Sequence, residues 1–220
     1  MDYETFIDFV KERRSIRFFK SDPIPEGYIE KILEAARWAP SAANSQPWEF
    51  IVVKDKKLKD NLIDILVKVG RGRFRRGQGA PVLVIVCGDV RTKIFYPPPL
   101  NVENKIFNLS LTNVFLYIHL AARTLGLGSQ WVSIGPIGSR LEREHSAIKK
   151  LLNIPEYLEI FDMVALGYPA FQPKPRSIRS LDEITHYDLY DKSKSRTEND
   201  IREASRKSWT YIQHENQREA

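Results

Sequence analysis

The chain has 220 residues, 42% of them hydrophobic and 28% charged, which suits one globular domain with a sizeable core. No run of about 18 apolar residues occurs, which argues against a membrane-spanning helix. The start MDYETFIDFVKERR is acidic and then amphipathic, unlike a signal peptide, and the single cysteine, Cys87, excludes an intrachain disulfide. A reducing, cytoplasmic setting is the expectation.

Phe6, Ile7, Phe9 and Val10 recur at helical spacing, so a helix is expected ahead of the segment Arg13-Arg14-Ser15-Ile16-Arg17. Pro25 and Glu26 open a second helical pattern through Tyr28, Ile29, Ile32, Leu33 and Ala36. It stops near Pro40, because the residue before a proline avoids the helical region. The turn Pro40-Ser41-Ala42-Ala43-Asn44-Ser45-Gln46-Pro47-Trp48 follows, and 48–53 reads as a strand. Leu58, Leu62, Ile65, Leu66 and Val69 mark a third helix. Residues 70–79 form a Gly-rich basic loop in which Arg71, Arg73, Arg75 and Arg76 carry four charges of a net +6, so the basicity is largely local.

The continuous apolar run 81–87 is expected of a strand buried on both faces, with Cys87 as core packing. Tyr96-Pro97-Pro98-Pro99 is incompatible with regular helix or central strand, so residues 96–104 are assigned to a lid or surface excursion. A long helix over 102–125 is apolar on much of its surface, which places it centrally or at a subunit interface. Residues 126–135 leave it as a Gly-rich turn and a short extended piece; Trp131 on that piece is expected in the core. Ser139 and Glu142 form a capping box for a helix ending before Pro155, and 160–166 reads as a strand ended by Gly167. The tail 193–220 is charged and helix-compatible, with Trp209, Tyr211 and Ile212 as apolar anchors. Helices and strands mix without strict alternation, which gives an α+β class.

The two segments 13–17 and 40–48 carry the chemistry. Guanidinium forks match phosphate oxygens in a bidentate way. Small residues with Asn and Gln let the backbone approach a flat polar ring and hydrogen-bond its edge. Together they suit a phosphorylated aromatic cofactor. Each segment alone has a plainer reading, as cations at a helix C-terminus or as a simple Pro-Ser turn. No metal site is expected, because His119, His145, His186 and His214 are scattered without ligand spacing. Neither a GxSxG elbow nor a P-loop is present. The Gly126-Leu127-Gly128 turn follows a helix rather than a strand and lacks the third glycine of a dinucleotide fingerprint. Aromatic interleaving in the basic loop is limited to Phe74, which argues against nucleic acid.

In RRSxR at 13–17 and PSxxNxQPW at 40–48, the chain resembles the FMN-dependent nitroreductase family. The stretch 126–133 and Leu166-Gly167-Tyr168-Pro169 with its sequel 174–183 extend the likeness over roughly residues 3–190. The resemblance implies a three-layer α+β fold, a central mixed and mostly antiparallel sheet flanked by helices. It implies an FMN-binding domain over 1–192 and a helical arm over 193–220 that wraps the second subunit of a homodimer, with FMN at the subunit boundary. Arg13 and Ser15, with Arg14 beside them, would then hold the phosphate and ribityl or pyrimidine groups. Arg17 would approach the pyrimidine, while Pro40, Ser41, Asn44 and Gln46 line the ring. The backbone of Ser133, Ile134 and Gly135 would face flavin N5, and Arg176 or Arg179 would complete the phosphate site. No catalytic side chain is implied, because the chemistry is on flavin N5. NAD(P)H would be a transient donor in a ping-pong reduction of nitroaromatics, quinones or enones, without membrane involvement. The alternative is a non-catalytic flavin- or polyanion-binding protein that uses the loop 71–76.

Overall fold

Strand β2 (Val82–Asp89) organises the molecule, because its apolar run leaves both faces to be covered. In the computed structural model, which describes residues 2–66, 77, 79–96, 102–134 and 142–217, it pairs on one side with β1 (Trp48–Val53). On the other side it pairs with β4 (Leu158–Gly167), and β4 pairs in turn with β3 (Gly128–Val132). The order is β1-β2-β4-β3, and each pairing is antiparallel. The register shifts once, between Val86 and Cys87.

Side chains alternate across a strand, so β2 serves two cores. Val82, Val84 and Val86 pack with Ile29, Ile32 and Ala36 of helix α2 (Tyr28–Ala36) and with Phe107, Leu111, Val114 and Phe115 of α4 (Glu103–Thr124). Leu83, Ile85 and Cys87 face Leu62 and Leu66 of α3 (Lys56–Leu66) and Ile148 of α5 (Glu142–Leu152). Helix, sheet and helix make the three expected layers. Cys87 is core packing, and burial pushes its thiol up to about 12, so it stays protonated and inert. Helix α4 lies centrally, as its apolar length implies, yet Leu109 and Leu116, seven residues apart, are more than half exposed.

Helix α1 (Tyr3–Glu12) is held at its start by Asp2, whose carboxylate accepts from Thr5 N at 2.8 Å. None of its residues is buried despite the amphipathic spacing. Two expectations are corrected. Helix α2 begins at Tyr28 rather than at Pro25, because Gly27 enters it in the left-handed region (φ +79°). Trp131 is 37% exposed rather than core: β3 is an edge strand, so only one face of its indole is covered.

The chain forms two compact units, Met1–Gln172 and Pro173–Ala220. The second contains α6 (Leu181–Ile184), which opens on a Ser180/Glu183 capping box, and α7 (Glu198–Gln217). Lys194 ties its middle together, donating to the Asp182 carboxylate and backbone at 3.0 Å each. The helix expected in the charged tail is therefore present. The side chains of Trp209, Tyr211 and Ile212 lie outside the described residues, as do the loop 71–76, Pro97 to Pro99 and Ser139 of the capping box. Among the described residues, no helix is long and apolar enough to cross a membrane.

Candidate functional site

Segment 13–17 leaves α1 at Arg13, where the backbone turns extended, and lies along the free edge of β3. Ser15 bridges Ser129 in parallel, and Ile16 N donates to Ser129 O at 3.0 Å. Farther on, Lys20 N donates to Tyr168 O at 2.9 Å and Phe19 bridges Pro169. The extended period of two buries Ile16 and Phe18 and leaves Ser15 and Arg17 half-buried between them. Gly128 permits this approach: a Cβ there would stand 2.5 Å from Ile16 Cγ1.

A small pocket beside this segment is bounded by Arg13, Arg14, His119, Arg123 and the turn 126–129. The Arg14 Nε and Arg123 Nε atoms are buried with no hydrogen-bond partner among the described residues. The other ends of these guanidiniums are engaged: Arg14 donates to Arg13 O at 3.0 Å, and Arg123 pairs with the Glu12 carboxylate. His119 Nδ1 shares a 2.7 Å hydrogen bond with Ser129 Oγ. Burial first, and then the Arg13 charge, push this imidazole down to about 4, so it is neutral near pH 7. The pocket is thus rich in positive charge and leaves donors unspent.

The second sequence motif folds as a 3-10 turn over Ala42–Asn44 in which Ala43, Asn44 and Gln46 all have φ near +50°. Non-glycine residues held in the left-handed region store strain, which clusters at functional sites. Several hydrogen bonds hold it, among them one from Ala42 N to Ser110 Oγ at 3.4 Å. Ser41 Oγ accepts from Gln46 N at 3.0 Å. Asn113 Nδ2 donates to Pro40 O at 2.9 Å. Ser45 Oγ and Tyr96 OH bond at 2.6 Å. The Asn44 amide is exposed and makes no side-chain hydrogen bond among the described residues, so it does not serve as an Asx turn.

Ser133 and Ile134 follow the last residue of β3. Ser133 is exposed and lines a cavity of about 480 Å³ with Lys93, Asn108, Leu111, Phe161 and Asp162. The Ile134 side chain is buried and its N–H is donated to Asp162 Oδ1 at 2.6 Å, which leaves its carbonyl for a ligand, and Gly135 lies outside the described residues. Helix α4 carries all three places. Arg123 and His119 serve the arginine pocket, Ser110 and Asn113 the strained turn, and Asn108 and Leu111 the cavity. Ser110 and His119 are about 13 Å apart along the helix axis. Arg176 and Arg179 belong to the second unit, where Arg176 is exposed and Arg179 donates to Glu183 O at 2.7 Å.

Sequence reasoning passes over Ser110, Asn113 and Asp162, and weighs His119 only as a metal ligand. Each had a signal: polar residues on an otherwise apolar helix, and one carboxylate inside an apolar strand. Among the described residues, no group of three His, Cys, Asp or Glu side chains is arranged to hold a metal.

Residues 10–71 match the family model described as "Nitroreductase family". The chain is 36% identical over 169 residues to "Putative NADH dehydrogenase/NAD(P)H nitroreductase" of Archaeoglobus fulgidus, covering 76% of this chain and 86% of that one. It is 41% identical over 194 residues to rat Iodotyrosine deiodinase 1, covering 77% of this chain and 64% of that one. A solved FMN-dependent nitroreductase from Clostridium difficile superposes with a TM-score of 0.69 at 29% identity, covering 84% of this chain and 99% of that one.

Proposed function

This chain belongs to the nitroreductase family of NAD(P)H-dependent flavoprotein oxidoreductases, and from that premise we propose that it binds FMN and reduces flat electrophiles of the nitroaromatic, quinone or enone type. The observation that carries this reading is the arginine pocket. Two buried guanidinium nitrogens without partners among the described residues, beside Arg13 and a neutral imidazole, fit an anionic group. A flavin phosphate carries close to two negative charges near pH 7, as a phosphate ester does. Bound there, FMN supplies two-electron hydride chemistry at N5.

The chain supplies orientation. Arg13, Arg14, Ser15 and Arg17 hold the phosphate and pyrimidine ends. Pro40, Ser41, Asn44 and Gln46 line the ring, on a turn strained at Asn44 and Gln46 and pinned at Pro40 by Asn113. Ser133 and the Ile134 carbonyl offer an edge contact beside the cavity. We also propose a homodimer. Tyr3 and Phe6 on α1 and Leu109 and Leu116 on α4 leave exposed apolar surface that a second copy would cover.

Purified protein is expected to be yellow, dimeric by light scattering, and bleached by NADH or NADPH without oxygen. A protein that stays colourless after incubation with FMN overturns the reading. The acceptor panel includes an ortho-halogenated phenol, because the rat relative at 41% identity is named Iodotyrosine deiodinase 1. Replacing Arg13 removes a charge-assisted contact worth about 1.5–3 kcal/mol. Arg13→Ala is therefore expected to weaken FMN binding roughly ten- to a hundredfold in a fluorescence titration. Unchanged affinity in the folded variant would take Arg13 out of the site.

A further inference from the structure

Asp162 is a buried carboxylate in the middle of an apolar strand, 8% exposed. Burying a charge is costly unless it is fully hydrogen-bonded. Both of its oxygens are engaged: Oδ2 accepts from Trp131 Nε1 and Oδ1 from Ile134 N, each at 2.6 Å. The placement follows from the sheet register. β3 pairs with β4 through Trp131↔Val164 and Val132↔Met163, and there the ladder stops. Asp162 is the next residue along β4, opposite the point where the chain departs. Its side chain replaces the missing ladder bond, accepting the Ile134 amide in place of a backbone carbonyl. The second oxygen anchors the Trp131 indole, whose ring stacks on Phe115 of α4 at 4.1 Å between centroids. One carboxylate therefore holds the Ile134 amide after Ser133 and the Trp131 side chain before it, and Ser133 and Asp162 line the same cavity.

We propose that Asp162 is a positioning residue for the redox reaction: it sets the direction of the Ser133–Ile134 main chain at the cofactor's reactive edge. The role rests on the reading of the chain as an FMN enzyme. Asp162 works through the backbone and exchanges no proton or hydride itself. The device depends on having two acceptors on one short side chain. Asparagine has the same size but one acceptor, so an NH₂ group would face either the indole N–H or the Ile134 N–H. Glutamate keeps both acceptors but is longer by a methylene in a packed site.

The test compares wild type with Asp162→Asn in two arms. In the cofactor-free protein, hydrogen exchange at the Ile134 amide is expected to speed up about tenfold or more, the loss of one charge-assisted bond. Amides of the β2–β4 ladder should exchange as before. In the FMN-loaded protein, flavin reduction at saturating NAD(P)H is expected to slow five- to tenfold, with the half-saturating NAD(P)H concentration unchanged. A residue that only stabilised the fold would shift the melting temperature and leave that rate alone. Unchanged Ile134 exchange overturns the positioning contact. Faster exchange with an unchanged limiting rate overturns its part in the reaction. If wild type takes up no FMN, the function proposed above fails, and the exchange arm still decides the contact. Should Asp162→Asn not fold, Trp131→Phe removes one donor and keeps the carboxylate. It is expected to move exchange and rate in the same directions by a smaller factor, and no movement in either overturns the proposal.

Discussion

Gly128→Ala is expected to lower the melting temperature by roughly 3–10 °C and to weaken FMN binding about tenfold at the same time. A methyl group on Gly128 meets Ile16 at its branched end, with Cγ1 at 2.5 Å and Cβ at 2.8 Å. A β-branched side chain is stiff at χ1 and cannot swing aside. The segment must therefore move off the β3 edge, and over-packing of this kind costs about 1–3 kcal/mol. In a chain of this length each kcal/mol is about 2–4 °C. Ser15 and Arg17 flank Ile16, so the displacement carries the proposed phosphate contacts with it. Gly27→Ala is the control. It also strains the backbone, with φ +79°, but a Cβ there meets nothing within 4 Å, so no site residue is pushed. It should lower stability by about 1 kcal/mol or more and leave FMN affinity alone. Thermal melts and flavin titrations on both variants decide it. A Gly128→Ala protein with unaltered affinity would mean that the seating of Ile16 does not set the arginines.

Stability should fall by about 3 kcal/mol as the pH drops from 6.5 to 4, and most of that slope should belong to one histidine. His119 is buried, with its folded value pushed down to about 4 from an ordinary 6.5. Above pH 6.5 the imidazole is neutral in both states and its contribution is complete. Below that, the unfolded chain takes up a proton that the folded chain refuses, so unfolding gains ground. The loss is finished once the pH passes the folded value. Urea unfolding at pH 7, 6 and 5 should show the decline in wild type and a much flatter profile in His119→Gln. Equal slopes would mean that the imidazole is charged or solvated in the folded protein. The arginine pocket gives this a functional side. A cationic His119 beside Arg13 would add repulsion before any anion arrived, so a bound anion should lessen the slope.

Much of this architecture was legible because the sequence signals were strong and local. The apolar run from Val82 to Cys87 demanded two covered faces, and Trp48 to Val53 matched β1 end to end. The start of α2 falls three residues after Pro25, because a left-handed residue before a helix leaves no periodicity to see. Trp131 was misread because an aromatic in a strand says nothing about whether that strand lies at an edge. The arginine segment and the Pro-Ser turn were visible as motifs. Their mounting was not. That Ser110 and Asn113 brace the turn, or that Asp162 finishes a ladder, depends on which elements become neighbours. A single chain does not encode that in spacing.

The pairing of Ser15 with Ser129 and of Phe19 with Pro169 joins residues more than a hundred positions apart. Contacts of such long range are slow to form, since the chain between them must first be ordered. During synthesis, roughly a hundred residues separate the appearance of the arginines from that of their sheet edge, a delay on the order of ten seconds. For that interval Arg13, Arg14 and Arg17, which follow the end of α1, have no strand edge to lie against. A nascent chain stalled before Gly128 would hold the arginines but not the strand edge that seats them.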